Sequence, residues 1–385
     1  MSRFAGREGP IRLGMVGGGQ GAMIGAVHRT AARLDGGYEL VAGALSSTPQ
    51  KAQASGQEIG LQSDRIYDDF TQMAERESQR SDGIEAVAIV TPNHLHLPAA
   101  QAFLKRGIHV ICDKPLTGTM ADATEMQAAV KESDALFILT HTYAGYPLVR
   151  EAAERVARGD LGDIRLVQVE YAQDWLSQKP DPDNKQASWR TDPARSGIGG
   201  AISDIGTHAW HLLCHITGLQ PEALAADLQS FVPDRQLDDN AHVMLRFAGG
   251  ARGTLWCSQV AAGQENNLRI RIFGTKAGLE WAQENPNRLI LSPLGEPARL
   301  ITTASPATGE NARRLTRVPP GHPEGYFEAF ANLYCEAEIA IRAHRTGAAL
   351  PEGVQFPTLA DGMSGMRFVQ ACVQSSNANS AWVTL

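Results

Sequence analysis

Strand-like apolar runs alternate with helical patterns through the first half of the chain, and this rhythm excludes most folds before any motif is considered. The runs are IRLGMV (11–16), YELVAGAL (38–45), GIEAVAIVTPN (83–93), GIHVIC (107–112) and ALFILTH (135–141). Helical stretches lie among them: AVHRTAARL, HLPAAQAFLKRG and ADATEMQAAVKES. Runs this apolar must be covered on both faces, which predicts a parallel sheet layered with helices. Functional groups in such sheets gather beyond the carboxyl ends of the strands. Thr91, Pro92 and Asn93, Asp113 to Pro115, and His141 to Tyr143 are therefore expected on one rim.

The first run leads directly into VGGGQGAMIG, where Gly17, Gly19 and Ala22 fall in a G-x-G-x-x-A register, with Gln20 and Gly21 inside the turn and Met23 and Ile24 opening the helix. In a dinucleotide site the glycines permit the turn and a close approach of backbone to pyrophosphate, while the N–H groups of the helix start face the phosphates. A ribose-binding acid is expected about 20 residues further on. Leu45, Ser46 and Ser47 stand there instead. Ser46 and Ser47 can hydrogen-bond a free ribose or tolerate a 2'-phosphate, and the nearest cation is Lys51. On these residues NAD and NADP both stay open.

The pattern changes after Tyr146. The helical stretch YPLVREAAERVARG gives way to IRLVQVEYAQDW (164–175), AHVMLRFAGGARGTLWCSQV and NNLRIRIFGTKAGLEW, which alternate as half-solvated strands do. A chain of 385 residues exceeds the size of one ordinary core. Two domains are expected: residues 1–143, and residues 144–385, whose C-terminal helical stretches FEAFANLYCEAEIAIRAHR and PTLADGMSGMRFVQACVQS would pack back on the first. Residues 177–200 are polar and rich in turn formers, as an active-site loop or a plain connection would be. Residues 295–320 read as another Pro/Gly-rich excursion.

Charge and cysteine usage remove several function classes. With 35 basic and 42 acidic residues the formal charge is -7, and no Lys/Arg block could neutralise a run of phosphates, so a nucleic-acid partner is not expected. Five dispersed cysteines, at 112, 214, 257, 335 and 372, contain no CxxC pair. That argues against a disulfide framework or a thiolate zinc site and for a reducing cytoplasm. Charges and glycines near the N-terminus leave no signal-peptide core, and no run reaches the roughly 20 apolar residues that cross a bilayer.

Asp204 and His208, four apart in AISDIGTHAWHLLCHITG, would share one helix face. A carboxylate beside imidazole orients it and favours its proton-bearing form, which suits a base that works near neutral pH. Lys114, in CDKPLT, could stabilise a developing alkoxide. His211 and His215 extend the same stripe. One helix rarely supplies four converging metal ligands, so they read as core or interface residues and no metal is expected. His94 and His96 follow the third strand, where a helix start and a ligand contact are both reasonable roles. Cys112 needs no role beyond filling a strand end.

These motifs resemble the Gfo/Idh/MocA oxidoreductase family along nearly the whole chain: the loop Gly17 to Gly25, the turn Asp113-Lys114-Pro115, and Gly199-Gly200 followed by Asp204 to His208. The family's E-K-P lysine falls on Lys114, with Asp113 in place of glutamate, and its D-x-x-x-H pair falls on Asp204 and His208. The resemblance implies an N-terminal Rossmann domain and an α+β C-terminal domain built on a large, open, mostly antiparallel sheet that joins chains into dimers or tetramers. GGGQGAMIGAVHR, TPNHLH and HTYAGYPLVR look most like the branch of levoglucosan and scyllo-inositol dehydrogenases, which implies NAD as cofactor. It would lie against the glycine loop, Ser46, Ser47, Thr91 to Asn93, His96, Asp113 and Lys114.

The same resemblance puts a cyclic sugar, anhydrosugar or inositol between the nicotinamide and the open sheet, beside Lys114, Tyr143, Tyr146, Gln173, Asp174, Trp175, Lys185, Trp189, Arg190, Asp204 and His208. The expected reaction is reversible oxidation of a secondary hydroxyl. His208 takes the proton with help from Asp204, Lys114 steadies the oxygen, and hydride passes to the nicotinamide. Two other readings use the same residues: a redox-neutral glycoside or keto-sugar conversion with retained NAD, and a nucleotide-responsive binding protein without turnover.

Overall fold

The computed structural model describes residues 9–179, 181 and 184–385, and of Lys185 the backbone alone. The chain divides into two compact units. The first comprises the residues up to Thr117 together with Ala121–Thr140 and Phe330–Leu359; the second comprises Gly118–Met120, His141–Ala329 and Ala360–Leu385.

The first unit is built on five parallel strands: β1 (Ile11–Gly17), β2 (Tyr38–Ala44), β3 (Ala86–Val90), β4 (His109–Cys112) and β5 (Phe137–Leu139), in the order β2-β1-β3-β4-β5. All residues of β3, β4 and β5 are buried, as strands covered on both faces must be. The chain leaves β1 for β2 on one side and returns to β3 on the other. That reversal opens a crevice beyond the carboxyl ends of β1 and β3, where Gly17 and Thr91 lie. The expected third strand stops at Val90, earlier than its apolar pattern ends, because Pro92 lacks an N–H for the ladder and Asn93–Leu95 turn into a 3-10 helix.

Residues between β2 and β3, to which the hydrophobic pattern assigned no element, contain the helices Pro49–Glu58 and Phe70–Gln79. Asp69 caps the second by accepting from the Gln72 N–H at 2.7 Å. Beneath it the buried Arg65–Glu77 pair is completed by the Tyr67 hydroxyl, 2.8 Å from Glu77. Most of the long helix Tyr326–Thr346 belongs to this unit. Its Tyr334 hydroxyl meets His28 Nδ1 at 2.8 Å, and its Tyr334 carbonyl accepts from the Tyr38 hydroxyl at 3.1 Å.

The second unit carries nine strands: β6 (Ile164–Ala172), β7 (Pro221–Gln229), β8 (Asn240–Phe247), β9 (Arg252–Ser258), β10 (Asn267–Gly274), β11 (Ala277–Ala282), β12 (Arg288–Pro293), β13 (Arg299–Thr302) and β14 (Val383–Thr384). Their order is β13-β12-β11-β10-β6-β9-β8-β7-β14, antiparallel throughout except for the β6–β9 pair. The expected α/β Rossmann layer and large open sheet are both present. The excursion at 295–320 supplies β13 and the short helix Glu310–Arg314.

Alternation decides which face of the large sheet is dry. In β8, Ala241, Val243, Leu245 and Phe247 are buried, while His242, Met244 and Arg246 are exposed. The dry face packs a core that includes Trp281 of β11, Trp210 of the helix Thr207–Thr217 and Phe368 of the helix Leu359–Asn377. Trp210 and Phe368 stack at 4.4 Å. Burying each such ring stabilises the unit by roughly 1.5–3 kcal/mol. The other face keeps apolar residues in water: Leu166 pairs with Phe273, Ile290 pairs with Leu300, and Met244 lies further along. Among the described residues no helix is long and apolar enough to cross a membrane.

Candidate active site

In the first unit the glycine loop is shaped by what side chains would strike. Gly17 has φ +78°, and a Cβ there would lie 2.8 Å from the Val90 carbonyl oxygen. A Cβ on Gly25 would lie 2.3 Å from the Gly18 oxygen, so a tight contact of loop and helix is made at Gly25. Arg29 holds the loop from one turn further on, donating to the Gly18 carbonyl at 2.8 Å, and Ser55 accepts from the Gln20 N–H at 3.1 Å.

The helix Met23–Leu34 has no side-chain cap and no acid in its first turn, which leaves its orphan N–H groups to an anion. A cavity of about 420 Å³ is lined by Gly19, Gln20, Gly21, Ala22 and Met23, with Arg29, Ser55 and Glu58. Gly17, Ile24, Ser46 and Ser47 are not part of its lining. Ser46 Oγ accepts from the Thr48 N–H at 3.2 Å, and Ser47 is exposed. A loop that a Cβ would block and a bare helix start fit a dinucleotide.

Beyond β3 and β4 the two histidines part company. His94 is exposed, whereas His96 is buried with Nδ1 2.8 Å from the Pro115 oxygen and Nε2 3.0 Å from the Thr91 oxygen. Burial lowers its pKa, and because a neutral ring donates through only one nitrogen, one of these two carbonyl contacts is a hydrogen bond and the other is packing between the loops. Asn93 is buried beside them, and Thr91 and Pro92 are half-buried. Asp113 Oδ1 accepts from the Lys114 N–H at 2.9 Å and from the Thr140 hydroxyl at 3.0 Å. The shorter acid thus braces the turn through its backbone, and Lys114–Pro115 is a cis peptide.

In the second unit Asp204 lies in a π-helical turn, Ile202–Gly206, which runs into the α-helix Thr207–Thr217 carrying His208. Wide turns of this kind often mark functional positions. A remote acid starts the element: Asp238 accepts from the N–H groups of Gly200 at 2.6 Å and Ile202 at 2.8 Å. Burial raises the Asp238 pKa to about 6 against the pull of those donors.

Asp204 Oδ2 accepts from Arg190 Nε at 3.0 Å and from Gln259 Nε2 at 2.9 Å. The His208 ring meets Tyr143 edge-on at 4.9 Å and His141 edge-on at 5.6 Å. His141 in turn stacks on His211 at 4.2 Å. His211 and His215 are packed inside, and burial holds His211 near pKa 4 and His215 well below the usual value. Among the described residues no group of three or more His, Cys, Asp or Glu side chains could hold a metal.

Around this pair runs a polar chain. Tyr143 and Tyr171 share a hydroxyl contact at 2.5 Å, Tyr171 donates to Asn266 at 2.8 Å, and Gln173 donates to the same Asn266 oxygen at 2.6 Å. Trp175 Nε1 donates to Gln173 Oε1 at 3.0 Å, and the Arg190 guanidinium lies over the rings of Trp175 and Trp189. Asp174 accepts from the Gly263 N–H, and Tyr146 is buried against Trp281. Burial pushes the phenols of Tyr143 and Tyr171 up, so both stay neutral donors. The Lys185 side chain lies outside the described residues.

Tyr143, Gln173, Trp175, Trp189, Arg190, Asp204 and His208 were expected together from motif and loop position. Tyr171, Gln259 and Asn266 were not. They come from strand ends and loops whose proximity only the pairing of β6 with β9 and β10 creates. In the first unit Arg29 and Ser55 were missed as well, and Gly25 was named only as the end of the loop motif. The repeat of glycine across one helical turn was the available signal for Gly25.

Comparison with known proteins bears on the family and the fold. Residues 11–141 match the model of an oxidoreductase family with an NAD-binding Rossmann fold, Gfo/Idh/MocA, and residues 149–280 match the Gfo/Idh/MocA C-terminal domain. An oxidoreductase from Sinorhizobium meliloti is similar at 58% identity and TM-score 0.90, over 98% of this chain and 100% of that one. An inositol dehydrogenase homologue from Azotobacter vinelandii, complexed with NADH and myo-inositol, is similar at 35% identity and TM-score 0.93, over 100% and 99%. Levoglucosan dehydrogenase from Pseudarthrobacter phenanthrenivorans is 28% identical over 97% of this chain and 97% of its own length.

Proposed function

The chain belongs to the Gfo/Idh/MocA oxidoreductase family, as an NAD-dependent dehydrogenase acting on a CH-OH group of a sugar- or polyol-like substrate, and we propose that it oxidises a secondary hydroxyl of a cyclic substrate, an inositol or an anhydrosugar, to the ketone. The likeness to the structure complexed with NADH and myo-inositol is the observation that carries this reading. The likeness to levoglucosan dehydrogenase supports the anhydrosugar arm.

NAD supplies the hydride acceptor when bound. The bare N-terminus of Met23–Leu34 and the loop from Gly17 hold its phosphates. His208 accepts the hydroxyl proton at its imidazole, Asp204 stabilises the imidazolium that results, and Lys114 lends positive charge to the oxygen as it becomes alkoxide-like. Asp113 and His96 keep the lysine turn in place through backbone contacts. Tyr143, Gln173, Trp175 and Trp189 offer hydroxyl-binding groups and ring faces for a polyol, as does Lys185. The copies associate as a dimer or tetramer through the exposed face of the large sheet, where Leu166, Phe273, Ile290 and Leu300 would leave water.

The test follows formation of reduced cofactor across inositol isomers, levoglucosan, glucose, galactose and simple glycosides, with NAD and NADP in parallel. Turnover on a cyclic polyol or anhydrosugar with NAD is expected. A strong preference for a linear alcohol would overturn the substrate assignment. Sedimentation of the purified chain reads the assembly, and a monomer would remove the sheet contact.

A further inference from the structure

Arg190 was expected to line the substrate beside Asp204, and its contacts reach that acid. Its Nε donates to Asp204 Oδ2 at 3.0 Å, while Nη1 donates to the Gln186 carbonyl at 3.0 Å and to Gln186 Oε1 at 2.8 Å. The guanidinium carbon is 4.3 Å from the Trp189 ring centre and 5.7 Å from that of Trp175. Trp175 is itself held through Gln173 to Asn266. A long side chain rarely keeps one geometry unless several contacts share its entropy loss. Here two hydrogen-bonding nitrogens and two ring faces fix it, and its side chain is 22% exposed.

Asp204 is 12% exposed, so its charge needs a partner inside the protein. Arg190 supplies opposite charge through a charge-assisted bond, and Gln259 adds a neutral donor to the same oxygen at 2.9 Å. Two donors converging on one oxygen from different elements fix the rotation of the carboxylate as well as its ionisation. We propose that Arg190 is a positioning residue that holds Asp204 ionised and oriented, and thereby sets how readily His208 takes the substrate proton. This rests on the reading of Asp204 and His208 as the acid-base pair.

Other titratable groups surround the pair. His141 and Tyr143 pack on the His208 ring, Tyr171 lies 6.2 Å from it, and Cys257 is close enough to feel the Asp204 charge. His211 backs His141 and faces Asp361 at 3.8 Å, while Arg150 acts on His211. Asp238 acts on Cys257 in turn. The tyrosines and Cys257 are kept neutral by burial, whereas Arg190 is a cation bonded directly to the acid.

The experiment has two readouts on the full chain. Labelled-histidine NMR, with the His208 signal assigned by its loss in His208→Gln, follows the titration midpoint of His208 in the wild type, Arg190→Met, Arg190→Lys and Asp204→Asn. Steady-state kinetics are measured on the same proteins. Removing the cation in Arg190→Met makes Asp204 easier to protonate, so the His208 midpoint is expected to fall by about 0.5–1 pH unit and the acid limb of the oxidation profile to move downward with it. It should lower kcat ~10–100-fold, with KM for the polyol and affinity for NAD held within about threefold.

Arg190→Lys keeps the charge but loses the fork, so its midpoint should stay near the wild type while kcat recovers in part. In the Arg190→Met, Asp204→Asn double variant, measured alongside the singles, the two losses should not add. Raised KM with unchanged kcat and an unmoved midpoint would overturn the proposal and return Arg190 to the substrate. If Arg190→Met does not melt cooperatively, an Arg190→Gln and Arg190→Lys comparison carries the same two outcomes. Full turnover in His208→Ala would defeat the acid-base reading instead, and the NMR midpoint would still decide whether Arg190 acts through Asp204.

Discussion

The glycine loop after β1 would bind NAD through backbone N–H groups and is written in one continuous stretch, Gly17 to Gly25. The region around Asp204 works through side chains drawn from Tyr143, Tyr171, Gln173, Arg190, Gln259 and Asn266. Both regions bury polar groups, but they fail differently. A backbone site is lost when an added atom makes the chain move, because its geometry is its chemistry. A side-chain site can lose one group and keep its shape, because the strands beneath it are held by the large-sheet core.

The sharpest break of this contrast is His208→Ala. It should lower kcat by about 10²–10⁴-fold with NAD affinity unchanged by fluorescence titration, as loss of a general base does. An equal fall in NAD affinity would show that the two regions are not separable.

Acid titration tests the two interiors together. Burial, the largest influence, holds His28 of the first unit and His211 of the second near pKa 4, against an ordinary value of 6.5. Asp113 pulls His28 upward and Asp361 does the same for His211, without overcoming burial. Because the folded values lie below the unfolded ones, this contribution is present above pH 6.5 and is lost as pH falls through 4. Each group contributes at most about 3 kcal/mol over that window. Urea unfolding at stepped pH should show stability dropping across it, and a flat profile would mean that these rings are wetter than their surroundings imply.

Gly25→Ala comes next. Its Cβ would meet the Gly18 carbonyl oxygen at 2.3 Å, so the loop must shift. NAD affinity should fall ~100-fold, about 3 kcal/mol, measured by fluorescence or calorimetry. The histidine titration of the second unit should be untouched, and normal NAD binding would show that the loop is more forgiving than its packing.

The smallest expected effect lies at Asp113, where side chain and backbone meet. Asp113→Ala removes the acceptor of the Lys114 N–H and the Thr140 hydroxyl, worth about 1 kcal/mol each. It should lower kcat up to about tenfold, whereas Asp113→Asn, which keeps an acceptor oxygen, should lose less. Equal losses would assign the effect to charge and not to the turn.

The comparison also explains how much was legible beforehand. The parallel sheet was readable because covered strands are apolar on both sides, and the larger sheet because half-wet strands alternate; both are local patterns. The helices Pro49–Glu58 and Phe70–Gln79 escaped because both are polar overall, and the second is anchored by the buried Arg65–Glu77 pair, which no apolar stripe announces. Asp204 and His208 were visible as a spacing, but the π-helical turn that carries Asp204 was not. It depends on the hold of Asp238 on Gly200 and Ile202, more than thirty positions away.

The sequence by itself determined the alternation of strands and helices, the place of the glycine loop and the family, and it singled out Lys114, Asp204 and His208 as candidates. Each depends on residues within one turn or one strand of each other, where covalent geometry limits the outcomes. Tertiary structure decided that Arg190 turns to Asp204, that Gln259 and Asn266 enter the network, that Asp113 braces its turn through Lys114 N–H and Thr140, and that His96 is a tie between loops. These contacts join residues far apart in the chain, and hydrogen-bonding partners at that range are chosen by sheet register and burial, which no short stretch of sequence encodes.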